Sequence, residues 1–388
     1  MPYEINLENP PAGYAITPAR AGECVKYCIR EFTSTEDGQH FIQRLEGGPS
    51  IILQRLPTEI RPSSVDNMLV IYGRDGKATV YVNELELKAA IRAARSVKAG
   101  GVVLKDHIAD VELLDLGVEV PDNAGFLFIF SIGWRKGLFY DLGPLGPNRE
   151  PRIYDIAAIL GQAYCQVLFQ ERFSISDLEW DRLLKAKWFP FVGLTNKTIE
   201  ELVSHVRSGW DPDEKLDDIV SEVRGRSAKM LNIWRENPSL VEHIEILERA
   251  VERFQNDDPM SCTSLLFPRI EGILRTHHNS LGAANQPSPQ NLSASAVATE
   301  IDREKCLLLP HRFNIYLDRV YFADFDPSTP NIEVSRHSVG HGVASESEFN
   351  RKSAAIGILI VHQLSYFLQT GKGDRLKMLR KTDSTKTR

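Results

Sequence analysis

The stretch FNRKSAAIGILIVHQLSYFLQ, residues 349–369, limits the fold more than any other part of this chain. Wound as a helix, it places Ile356, Ile358, Leu359, Val361, Leu364 and Phe367 around most of its circumference rather than along one stripe. A surface helix needs only one apolar stripe. A belt this wide demands a helix central to a bundle, or one shared with a second subunit. The preceding SESE offers N-cap residues for a helix starting near Phe349.

The rest of the 388 residues suffices for two domains or one large one. Hydrophobic content of 42% and charged content of 25% are those of a globular chain. No segment reaches the roughly 18 to 20 uninterrupted apolar residues of a spanning helix. The N-terminal MPYEINLENPPAGYAITPAR lacks a basic segment followed by an apolar one. A cytoplasmic protein with no membrane partner is therefore expected. Five cysteines, Cys24, Cys28, Cys165, Cys262 and Cys306, read as reduced thiols rather than a disulfide framework. Cys24 and Cys28 share a face if that segment is helical. The net charge of −6 argues against coating nucleic acid by bulk electrostatics, although the tail GKGDRLKMLRKTDSTKTR carries seven basic residues against two acidic ones.

An α+β layout is expected, with a mixed α/β domain over 1–148, a helical connector over 149–224 and an all-α helical domain over 225–388 that ends in the basic tail. SIILQRL, NMLVIY, ATVYV and GFLFIFSIGW read as strands, the middle two joined by a tight turn at RDGK. ELELKAAIRAARSVKAGG reads as a helix closed by Gly-Gly. The Gly/Pro-rich KGLFYDLGPLGPNREP marks the boundary. Beyond it, apolar residues recur at three- and four-residue spacing. WFPFVGL reads as a buried corner between helices, NSLGAANQPSPQNLSASAVATEID as a mobile loop, and RFNIYLDRVYFADF as strand-like.

Motif absences narrow the chemistry. The chain has no G-x-x-x-x-G-K-[ST], H-E-x-x-H or G-x-S-x-G, and no G-x-G-x-x-G after a strand. What remains is the run Arg336-His337-Ser338-Val339-Gly340-His341-Gly342. Imidazole exchanges protons near neutral pH, and guanidinium braces a phosphate with paired hydrogen bonds. Together they suffice for metal-free RNA cleavage by 2′-hydroxyl attack. No cofactor or metal is called for. Glu271 and Arg275, four apart with the acid first, form a favourable helical pair. His277 and His278 sit where a helix end favours cations, and His362 reads as a core histidine.

Arg336, the polar His337 and His341 together resemble the R-x4-H signature of the HEPN superfamily. SLLFPRIEGILRTHH resembles the helix that precedes this motif. The resemblance spans roughly residues 225–375. It implies a C-terminal HEPN-like helical bundle and a metal-independent endoribonuclease of bacterial antiphage defence or stress response. It also implies an RNA substrate and a homodimer through the C-terminal helices, with two motifs facing one cleft. On this reading Arg336 holds the phosphate, His341 transfers the proton and His337 orients the site or binds RNA, with Glu271, Arg275 and Asn350 in support. The N-terminal domain would sense a trigger, bind a regulatory partner or restrain the nuclease. The alternative is an inactive HEPN-like dimerisation or interaction module.

Overall fold

The computed structural model describes residues 1–146, 150–282, 287–328 and 332–368. The basic tail lies outside the described residues, as do residues 147–149 of the expected boundary and 283–286 of the expected loop. The layout is α+β, an antiparallel sheet in the N-terminal part and helices in the C-terminal part. The chain divides into two compact units, one of residues 1–91 and 111–170, the other of 92–110 and 171–388. The sequence boundary at 148 is thus displaced, because the helix after it belongs to the first unit.

In the first unit the strands are β1 (Tyr3–Asn6), β2 (Tyr14–Ala15), β3 (Tyr27–Cys28), β4 (Arg30–Ser34), β5 (Asn67–Tyr72), β6 (Lys77–Val82), β9 (Gly125–Ile132) and β10 (Arg135–Asp141). Strands β7 (Lys88–Ala93) and β8 (Ile108–Asp115) form a separate two-stranded ladder along which the chain leaves this unit and returns. The main sheet runs β1-β6-β5-β9-β10-β4. The expected β5–β6 hairpin is present, with Tyr72 opposite Ala78 and Gly76 at φ +81° in the turn. Only glycine adopts that backbone conformation without strain.

Both faces of β9 are covered. Leu127 and Ile129 pack with Phe41, Ile52 and Leu53 of helices α1 (Gln39–Glu46) and α2 (Gly48–Gln54). Phe126, Phe128 and Phe130 pack with Leu160, Ala163 and Val167 of α3 (Ile156–Leu168). This double burial explains the unbroken apolar run of GFLFIF. At Gly161 a Cβ would lie 2.7 Å from Leu113 Cα, so glycine is what lets α3 approach that strand.

Four expected elements differ. SIILQRL runs through α2 and the turn that ends it, with Ile52, Leu53 and Leu56 buried at helical spacing behind Pro49. ELELKAAIRAARSVKAGG forms β7 and a loop; pairing with β8 and inward placement of Arg92 and Ala94 override the helix propensity of its alanines. The Ser/Ala/Pro-rich stretch contains α10 (Pro289–Val297), capped by Ser288 and anchored by Leu292, Ala296 and Val297. RFNIYLDRVYFADF is helical through α11 (Pro310–Tyr316) and a π turn over Leu317–Tyr321. Phe313, Tyr316, Leu317, Val320 and Tyr321, all buried, follow the i, i+3, i+4, i+7, i+8 pattern. Cys24 and Cys28 do not share a helix face, since Cys28 lies in β3; all five cysteines are free.

In the second unit the helices are α5 (Asp177–Lys185), α6 (Asn196–Ser208), α7 (Leu216–Arg235), α8 (Ile244–Gln255), α9 (Pro259–Ser280), α10, α11, α12 (Arg336–Gly340) and α13 (Arg351–Phe367), after the short α4 (Gln170–Phe173). The cap of α13 is Asn350, later than SESE, and its side chain accepts from the Lys352 and Ser353 amides. Every residue from Ser353 to Leu368 is buried, with α7, α8, α9 and α10 packed around. The apolar belt is therefore covered by this chain alone. WFPFVGL is a buried corner, with Trp188, Phe189 and Phe191 each 0% exposed. No helix among the described residues is long and apolar enough to cross a membrane.

Two buried polar side chains of α13 are paired inside this core, whereas the buried Tyr366 hydroxyl has no hydrogen-bond partner among the described residues. Gln363 accepts from the Val192 amide at 2.9 Å and donates to the Leu308 carbonyl at 3.0 Å. His362 Nδ1 accepts from Trp234 Nε1 at 3.3 Å. Burial first, and then the Arg226 charge, push the His362 pKa down to about 3. The unfolded chain titrates at about 6.5. Between those values the unfolded state binds a proton that the folded state refuses, so this contribution to stability is full above the window and is lost as pH falls through it. His362→Asn keeps an acceptor for Trp234 and removes the titration. Urea unfolding should show a wild-type minus variant difference that is flat above pH of about 6.5 and falls by up to about 1.4 kcal/mol per pH unit below it. A difference independent of pH would contradict the assignment.

Candidate functional site

Ser335 caps α12, its Oγ accepting from the Ser338 amide at 3.2 Å while Ser338 Oγ accepts from the Ser335 amide at 2.9 Å. Ser338 is 0% exposed and also donates to the Glu333 carbonyl at 2.7 Å. The Ile332 amide donates to Ser345 Oγ, and the Ser345 amide donates to the Ile332 carbonyl, both at 2.9 Å. The R-x4-H run is thus the surface of a closed loop pinned by a buried serine.

Two faces of that turn carry different groups. Arg336 Nε donates to Glu271 Oε2, and Arg275 donates to Oε1 of the same carboxylate, through Nε at 2.7 Å and Nη2 at 2.6 Å. Glu271 lies on α9 with its side chain 8% exposed; Arg336 and Arg275 are 28% and 46% exposed. Two guanidiniums around one carboxylate leave a net positive patch. The expected Glu271–Arg275 pair is present, and it is the inner part of a triad.

His337 and His341 are one turn apart, the His341 amide donating to the His337 carbonyl at 3.0 Å. Such neighbours share a face, with Cβ atoms about 5 to 6 Å apart. Arg336 and His341, five residues apart, diverge by about 140° around a helix axis. The structure therefore brings Arg336, Glu271 and Arg275 together, and separately His337 and His341. His341 is exposed and His337 half-buried. Their rings lie 5.8 Å from Phe325 and 6.3 Å from Phe322, centroid to centroid. Asn350 stands apart, lining a pocket of about 360 Å³ with Lys185, Lys187, Asp213 and Lys352.

His243, His277 and His278 are buried core groups. His278 Nδ1 bonds Ser295 Oγ at 2.7 Å, and burial lowers the pKa of both His243 and His277. Among the described residues no group of three or more His, Cys, Asp or Glu could hold a metal ion.

Sequence reasoning missed Phe322, Phe325 and Ser338. The aromatics belong to the segment read as a strand, whose helical spacing would have carried them to this turn. No family model, curated protein or solved structure matches the chain. The likeness to HEPN proteins thus rests on the residues named above.

The triad makes a quantitative prediction. Double-mutant cycles should give a Glu271–Arg336 coupling of about 1 to 2 kcal/mol, since this pair is the less exposed, against about 0.3 to 0.5 kcal/mol for the helical Glu271–Arg275 pair. Equal couplings in urea unfolding would show that Arg336 is not held by Glu271.

Proposed function

We propose that the second unit is a metal-independent endoribonuclease acting at the α12 turn. The observation that supports it is the pairing of two imidazoles one helical turn apart, His341 exposed and His337 half-buried, on the same short turn that holds Arg336 against Glu271. In the proposed step, neutral His341 takes the proton of a ribose 2′-hydroxyl. The 2′-oxygen bonds to the adjacent phosphorus, the P–O5′ bond breaks, and protonated His337 gives its proton to the departing 5′-oxygen. The products are a 2′,3′-cyclic phosphate and a 5′-hydroxyl. Arg336 meets the phosphate through its terminal nitrogens, since Nε is engaged by Glu271, which acts as a positioning residue.

The resemblance extends the proposal to a cytoplasmic defence or stress enzyme that works as a homodimer, with the first unit holding a trigger or partner. Because α13 is enclosed by its own chain, such a dimer would meet through the α12 surface rather than the apolar belt. A second reading has its own support: Arg336 is engaged by a nearly buried carboxylate, which suits an interaction module whose R-x4-H turn is a clamp.

One assay separates the two. The purified full chain is incubated with single-stranded and structured RNA in EDTA, beside His341→Ala and His337→Ala. The nuclease reading expects cleavage by wild type and a loss of roughly 10²-fold or more in His341→Ala. Cleavage that survives His341→Ala sinks the site, and a wild type that cuts neither RNA favours the interaction module.

A further inference from the structure

The loop between β7 and β8 belongs to the second unit and takes no part in the α12 site. Its ten consecutive residues 95–104 are all exposed. Four are aliphatic: Val97, Val102, Val103 and Leu104 stand 38%, 77%, 47% and 55% exposed. Between Glu86 and Asp106 the chain has no acidic residue, and the exposed loop itself carries Arg95 and Lys98, against the −6 of the whole protein. Leaving Val102, Val103 and Leu104 in water costs apolar hydration that a loop of polar residues would avoid.

The base of this loop is anchored where the tip is bare. Arg92 donates to Glu300 Oε1 at 2.8 Å and to the Tyr366 carbonyl at 3.2 Å. Arg303 pairs with Asp110 at 2.6 Å and with Glu300 at 3.1 Å, and all four of these side chains are buried. Asp110 also accepts from the Leu307 amide at 3.0 Å. Nearer the tip, the Ala94 amide donates to the His107 carbonyl at 2.8 Å, and Asp106 takes the Asn196 backbone and side-chain amides, each at 2.8 Å. Gly100 turns the chain at φ +75°, and the backbone is extended at Leu104. The aliphatic side chains are thus presented from a fixed stem.

We propose that the 95–104 loop is a peripheral docking surface for an anionic lipid bilayer. Val102, Val103 and Leu104 would enter the interface between headgroups and acyl chains, while Arg95 and Lys98 meet the headgroup phosphates and carboxylates. An apolar tip with a basic collar answers both halves of such a surface, the apolar boundary and its negative potential. Nucleic acid would use the cations and offer nothing to the valines. The contact asks for no spanning helix, so it is compatible with the absence of one among the described residues. It is also independent of the RNA reading.

The test is sedimentation of the full chain with vesicles of phosphatidylcholine alone and of phosphatidylcholine mixed with phosphatidylserine. Binding is expected to the mixed vesicles only, weakened by about fivefold in Lys98→Gln and by high salt, which shortens the screening length. The double variant Val102→Asp/Val103→Asp should abolish binding with an unchanged thermal melt, because these side chains are exposed and not part of the core. Absence of binding to the mixed vesicles overturns the proposal and leaves the loop to a protein partner. So does equal binding to both vesicle types, or binding that the double valine variant retains.

Discussion

The second unit depends on a helix that has no solvent face. α13 is buried from Ser353 to Leu368, so its own chain must wrap it completely, and α7, α8, α9 and α10 do so. Close approach is set by small residues. At Gly357 a Cβ would lie 2.9 Å from Leu266, which ties the spacing of α13 and α9 to a missing side chain. Polar groups on such a helix must be paired inside, and Gln363 and His362 are. The packing of α9 against α13 in turn fixes the helix that carries Glu271 and Arg275.

Charge is used in two distinct ways in this unit. The Arg92–Glu300–Arg303–Asp110 network is sealed, where desolvation offsets much of the Coulomb gain and pairing chiefly specifies geometry. The Arg336–Glu271–Arg275 triad is open on one side. Its carboxylate is nearly buried while its guanidiniums reach solvent, so the positive ends stay available to an anion. Glu271 fixes Arg336 on one side of the turn, and the imidazole that shares a face with His341 is His337.

Much of this was legible in the residues. The β5–β6 hairpin followed from Asp-Gly between alternating apolar runs, the buried corner from the aromatics of WFPFVGL, and the enclosure of α13 from its apolar circumference. The Glu271–Arg275 pair followed from spacing alone. Other features were hidden for physical reasons. The alanines of β7 favour a helix until β8 supplies a ladder, and short apolar runs such as SIILQRL fit either period. The stripe of Phe313, Tyr316, Leu317, Val320 and Tyr321 was present, but its β-prone aromatics masked it. The engagement of Arg336 by Glu271 joins residues far apart in sequence, and no local pattern announces it. The first unit's helix α3 shares its periodicity with the later helices, so the composition shift near 148 did not mark the division.

On the proposed nuclease reading, the imidazoles of His337 and His341 face an RNA phosphate. It is tested most directly by following the histidine ring resonances while adding an RNA oligonucleotide whose 2′-hydroxyls are replaced by hydrogen, so that it binds without being cut. The His337 and His341 signals are expected to move together and saturably, while that of buried His362 stays in place. Unmoved His337 and His341 signals at saturating oligonucleotide would contradict it.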